Sequence, residues 1–179
     1  MAQEDPIRAG NGSDGNGEQQ PQAATLAQYI KDLSVESPSA PQVFQWQEQA
    51  SLDVGFNLNV EKVSDDVSEV MLKIEVKAQS QNGIHFLVDL TFAGLFGLRN
   101  FPEEAIAPFL LIEAPRLLFP FARQIVCESV QNMGFPPLLL EPIDFGAAYL
   151  AQMQAEQQQQ QPADEAPAGA TEEEGSGNA

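Results

Sequence analysis

Asp32 and Glu36, four residues apart in KDLSVE, and Leu87 and Asp89, two apart in FLVDL, are the residues whose types and spacing could do chemistry. On extended strands an even spacing keeps side chains on one face, with about 13 Å between positions four residues apart. The chemistry on offer is docking. A sheet face carrying acids and an exposed leucine suits a basic, partly apolar partner. An ordinary solvated face has the same pattern, and spacing alone does not choose between the two.

A second set is apolar. Phe135, Pro136, Pro137, Leu138, Leu139 and Leu140 form a proline-broken run that cannot be regular helix, and Ser37–Trp46 (SPSAPQVFQW) carries Phe44 and Trp46 in a similar setting. Irregular segments run over the surface. Their apolar side chains either cover a sheet or a subunit interface, or line a groove that binds other chains.

Catalytic and metal chemistry have no such support. The phosphate-cradling G-x-x-x-x-G-K motif, the dinucleotide G-x-G-x-x-G and the nucleophile turn G-x-S-x-G are all missing. His85 stands alone, without the Cys or His neighbours a metal site needs. Cys127, between Val126 and Val130, reads as a buried small hydrophobe, and Asp65–Asp66 as turn chemistry. The expectation is a protein with no catalytic residue, no metal and no cofactor, acting by passive binding and release.

These residues need elements to position them. Leu52, Val54, Phe56, Leu58 and Val60 alternate with polar positions, as do Val70, Leu72, Ile74 and Val76, and Phe86, Val88, Leu90 and Phe92. That period of two predicts three strands, with Tyr29–Glu36 a fourth, joined by short polar links at Glu61–Asp66 and Gln79–Gly83. Leu117, Leu118, Phe121, Ile125 and Val126 recur at helical steps, continued by Val130 and Met133 and stopped by Gly134. Pro120 must then sit in the first turn or kink the helix. A second helix is expected from about Asp144 to Gln157. The fold class is α+β: a four-stranded antiparallel sheet, covered on one face, followed by two main helices.

Composition bounds the rest. The chain has 179 residues and a net charge of −18, which divides as −3 over 1–24, −9 over 25–153 and −6 over 154–179. So acidic a surface disfavours nucleic acid and anionic lipid as partners. The Gly- and Asn-rich residues 1–24 and the acidic, Gln-rich residues 154–179 are expected to be disordered, with one domain over 25–153. A lone cysteine suits a reducing compartment, and no basic-then-apolar leader or run of about 18 continuous apolar residues is seen, so the expected location is the cytoplasm, without membrane insertion.

Five ordered blocks carry a family resemblance: Tyr29–Phe44 (YIKDLSVESPSAPQVF), Ser64–Val76 (SDDVSEVMLKIEV), Phe86–Phe96 (FLVDLTFAGLF), Leu117–Val126 (LLFPFARQIV) and Gly134–Gln152 (GFPPLLLEPIDFGAAYLAQ). Together they resemble the SecB family of protein-export chaperones over residues 25–153. The resemblance implies a homotetramer, a dimer of dimers. It implies binding of unfolded precursor proteins along apolar grooves without ATP, and delivery to SecA, the ATPase motor of the Sec translocon. It assigns SecA docking to Asp32, Glu36, Leu87 and Asp89, the last standing where many relatives carry Glu. It assigns client binding to Phe44, Trp46, Phe121, Phe135 and Tyr149, to which the apolar run adds Leu138. SecA relatives commonly end in a basic, zinc-bearing segment, so the zinc belongs to the partner. Two alternatives remain open: a SecB-like adaptor dedicated to one client, such as a toxin–antitoxin component, and a small-molecule-binding or enzymatic α+β domain.

Overall fold

The computed structural model describes residues 20–159. Most of the two end segments expected to be disordered lies outside these residues. Four long strands, β1 (Gln22–Glu36), β2 (Ser51–Ser64), β3 (Val67–Ser80) and β4 (Gly83–Arg99), form one antiparallel sheet in the order β1-β4-β3-β2. Three helices follow: α1 (Glu103–Pro108), α2 (Ala114–Asn132), joined to α1 through a π-helical turn (Phe109–Glu113), and α3 (Phe145–Gln159). The α+β expectation holds, with one long helical run and a shorter last helix.

The alternating residues become the sheet's helix-covered face. Val76 pairs with Val88, Ile74 with Leu90 and Leu72 with Phe92, and all six are buried. Across them α2 lays Leu118, Ala122, Val126 and Val130, a four-residue repeat that forms one helical stripe, all buried. Gly94 on β4 permits this approach. A Cβ there would lie 2.8 Å from Leu118 Cδ2 and 2.9 Å from Phe96 Cε2, and both side chains are buried. Gly134 ends α2 as expected, at φ 90°. Its N–H donates to the Gln131 carbonyl (2.9 Å) and that of Phe135 to the Val130 carbonyl (3.3 Å), the paired bonds of a Schellman turn. Asp144 Oδ1 accepts from the Ala147 N–H at 2.9 Å and caps α3.

Several expectations are corrected. The first strand starts at Gln22 rather than Tyr29, because β4 extends to Arg99 and residues 22–28 pair with its second half. The last helix reaches Gln159. The described elements thus run from Gln22 to Gln159. Pro120 lies inside α2 beyond its first turn, since the helical run begins upstream at Glu103. Within that run, Glu103–Asn132, an 18-residue window has a mean hydropathy of 1.5, and the run could by length and composition cross a membrane, although no continuous apolar stretch marks it in the sequence. Here its apolar stripe is used against the sheet. Cys127 is half-buried rather than buried, because one helical step turns it away from the stripe of Val126 and Val130; its Sγ lies 3.8 Å from Gln131 Oε1.

The helices cover β3 and β4 but not the sheet edges. On the same face Ile30, Leu33 and Val35 of β1 and Leu52 and Phe56 of β2 remain exposed, as do Leu117 and Phe121 on the outer side of α2.

Candidate docking face and apolar grooves

The face without helices gathers the acids. Glu36 on β1 pairs with Leu87 on β4, Ser34 with Asp89, and Asp32 with Thr91. Across β4 the rows continue, Leu87 to Lys77 and Asp89 to Glu75, and then into β2, Lys77 to Asp53 and Glu75 to Gly55. All four residues of the expected docking set therefore share one face of two adjacent strands. Ser34, Glu36, Asp53, Glu75, Leu87 and Asp89 line an open cleft of about 480 Å³, left hollow at one side by the missing side chain of Gly55. Lys73 crosses this surface, with Nζ 2.9 Å from Glu75 Oε1 and 3.1 Å from Asp89 Oδ2. Hydrogen bonds to Glu75 first and Asp89 second hold its ammonium above the ordinary lysine range. Asp89 Oδ1 is shielded and has no hydrogen-bond partner among the described residues. Glu75, Asp53 and the two lysines were recognisable in the sequence only as the polar phase of their strands.

Further along the same face lies a buried carboxylate. Glu69 on β3 is 6% exposed. Its Oε1 accepts from the Tyr29 hydroxyl at 2.6 Å and its Oε2 from Lys31 Nζ at 2.8 Å. The bond from Lys31, then that from Tyr29, lowers the Glu69 pKa against the opposing effect of burial. The bond to Glu69, then burial, pushes Tyr29 from its ordinary 10.0 up to about 12. A depressed carboxyl adds stability that is present above the ordinary glutamate range, near 4.3, and is lost as pH falls through the folded value. The raised tyrosine adds stability that is full below 10 and is lost as pH rises towards about 12. Urea midpoints measured across pH are expected to fall at both ends. Glu69→Gln flattens the acid limb, and Tyr29→Phe flattens the alkaline one.

The aromatic residues converge at the other end of the molecule. Phe44, in the 3-10 turn Gln42–Gln45, packs at a tilt against Phe135 at 5.5 Å between centroids, and Phe135 likewise against Phe86 at 4.9 Å. Trp46 meets the His85 ring edge-on at 5.0 Å. His85 is buried and hydrogen-bonded through Nε2 to Ser80 Oγ at 3.0 Å, and no group of three metal-ligating side chains occurs among the described residues. The structure thus joins Phe44, Trp46 and Phe135 into one cluster and adds His85 and Phe86. Phe44 leaves it open to solvent, being 55% exposed. Phe121 stands apart on α2, stacked on Phe92 at 6.4 Å. Tyr149 lines a separate groove of about 400 Å³ with Phe56, Leu72, Leu111, Ile143 and Phe145. Leu138 packs against the core, while Leu139 points outward.

A sheet covered on one side, an acidic face on the other and aromatic-lined grooves at the margins are the features of a polypeptide-binding chaperone. The chain belongs to the SecB family: the family model for the preprotein translocase subunit SecB matches residues 16–157. It is 54% identical to the protein-export protein SecB of Rhizorhabdus wittichii over 84% of this chain and 93% of that one. The protein-export protein SecB of Sphingopyxis alaskensis is 50% identical over 81% and 85%, and that of Zymomonas mobilis 51% over 79% and 87%. Among solved structures, the Mycobacterium tuberculosis SecB-like chaperone in complex with a peptide from an antitoxin shares the fold. Its TM-score is 0.56 at 20% identity, covering 68% of this chain and 90% of that one. The chain is accordingly a protein-export chaperone of the Sec pathway.

Proposed function

We propose that this protein holds unfolded precursors in the cytoplasm as a dimer of dimers, keeps them competent for translocation and delivers them to SecA. Binding and release are passive and involve no turnover. The observation that carries this reading is the open aromatic cluster of Phe44, Trp46, Phe86 and Phe135. Such a surface takes up apolar segments of an extended chain with little sequence preference. Several copies on one oligomer gain avidity by engaging one client at many points. The exposed apolar edges Ile30, Leu33 and Val35 and the outer α2 residues Leu117 and Phe121 support assembly, since so much apolar surface is uncommon on a monomer. Docking of SecA falls to Asp32, Glu36, Leu87 and Asp89.

The dedicated-client alternative is not favoured. The relatives at 50% identity and above are protein-export proteins, whereas the antitoxin-binding neighbour is a likeness of fold. Native mass spectrometry tests the proposal. The expected species is a tetramer that takes up one unfolded precursor chain and ignores the same protein when folded. A monomer indifferent to unfolded chains would overturn it.

A further inference from the structure

The acidic face depends on a change of phase within β1. β1 has two register shifts, at Leu26 and at Lys31; between them its outward residues are Ala27 and Tyr29, opposite Leu95 and Ala93, and after the second they are Asp32, Ser34 and Glu36, opposite Thr91, Asp89 and Leu87. The parity changes from odd to even at one place. Ile30 pairs with Phe92 and Asp32 with Thr91, so Lys31 is an extra residue with no partner on β4, a β-bulge. Side chains alternate along a strand with a period of two. Continued from Tyr29 without the bulge, β1 would present Lys31, Leu33 and Val35 outward. Asp32, Ser34 and Glu36 would then turn to the helix side.

Glu69 grips both sides of this irregularity. It binds Tyr29, the last outward residue before the bulge, and Lys31, the bulged residue itself. Lys31 Nζ also lies 3.2 Å from Met71 Sδ. The grip spans a whole strand, for β4 lies between β1 and β3. It can do so because the β4 residue between Tyr29 and Met71 is Ala93, small and fully buried, over which longer side chains meet. An ion pair between a buried carboxylate and an exposed ammonium is a weak source of net stability but is suited to fixing register.

We infer that Tyr29, Lys31 and Glu69 are positioning residues for the docking face: they lock the bulge that keeps Asp32 and Glu36 outward. This inference rests on the SecA-docking reading, and the two make opposite predictions for one variant. Lys31→Met removes a cation from an acidic face, so charge alone would tighten binding of a basic partner. The clasp predicts weaker binding, by roughly three- to tenfold at low salt, with precursor binding unchanged. Amide hydrogen exchange over Ile30–Glu36 should also accelerate in this variant. Tyr29→Phe, which changes no charge and removes only a hydroxyl, should shift both readouts in the same direction by less.

The experiment measures SecA affinity, precursor affinity and exchange for both variants beside Asp32→Asn in the full-length protein. If Asp32→Asn weakens docking while Lys31→Met leaves it equal or tighter, the clasp is wrong and the docking reading stands. If Asp32→Asn has no effect, the docking reading fails. Unchanged exchange over Ile30–Glu36 in both clasp variants removes the positioning role in either case.

Discussion

Neutralising Asp32, Glu36 and Asp89 together, as Asn, Gln and Asn, is expected to weaken SecA docking by roughly ten- to a hundredfold at low salt, taking up to about 1 kcal/mol for each exposed charge. Near 1 M salt, where the Debye length is about 3 Å, the wild type should lose most of the same affinity and the variant little more. The reason is geometric. The three carboxylates project from the same side of neighbouring strands, so a basic segment lying across β1 and β4 meets all of them at once. Asp89 carries the most local consequence, because its loss also releases Lys73 from one of its two anchors. Asp65→Asn is the control: it removes one charge from a fully exposed residue in the turn after β2 and should change little. A triple variant that binds as tightly as the wild type at low salt would remove the acidic face from the docking reaction. Precursor binding should be retained throughout, since the aromatic cluster shares none of these residues.

Leu118→Ala is expected to cost about 2–5 kcal/mol of stability, the range for emptying a buried leucine site. Leu118 is 0% exposed and fills the close approach between α2 and Gly94, where Phe96 closes the other side. Neither neighbour can move in to fill the gap without breaking strand pairing or lifting the helix. Urea unfolding should show a lower midpoint with an unchanged slope. Leu117→Ala provides the contrast. Leu117 is the adjacent residue on α2 but is 48% exposed in the single chain, so its removal should cost that chain no more than about 0.5 kcal/mol. If the outer side of α2 is buried between subunits, Leu117→Ala instead shifts the tetramer towards smaller species at low concentration. The two neighbouring substitutions thus separate core packing from assembly.

What the sequence revealed follows what is local. The strict alternation in β2, β3 and β4 marked the covered face correctly, because a strand's side-chain period is a property of the strand itself. Residues 22–28 gave no such signal: QAATLAQ hardly alternates, and its strand structure comes from pairing with the far half of β4. Helix between Glu103 and Ala114 was masked by Pro108 and Pro115, which read as breaks but sit within a run that changes to a π turn at Phe109. The proposed docking set could be named through a family motif, whereas the residues around it on the sheet could not. Glu75 and Asp53 join Asp89 only because the strand order is β1-β4-β3-β2, and no short stretch of sequence encodes that order. The bulge at Lys31 was equally hidden, since residues on either side of it look like one uninterrupted strand. In the aromatic cluster, Phe44, Trp46 and Phe135 could be named, but Phe86 looked like ordinary core and His85 like an isolated polar residue.

Phe86 and Leu87 are consecutive in β4, yet one belongs to the aromatic cluster and the other to the acidic cleft. On the proposed assignment, client and motor approach opposite sides of a single wall, one sheet thick, and share no assigned side chain. That proposal predicts a ternary complex, in which transfer begins while the cargo is still aboard.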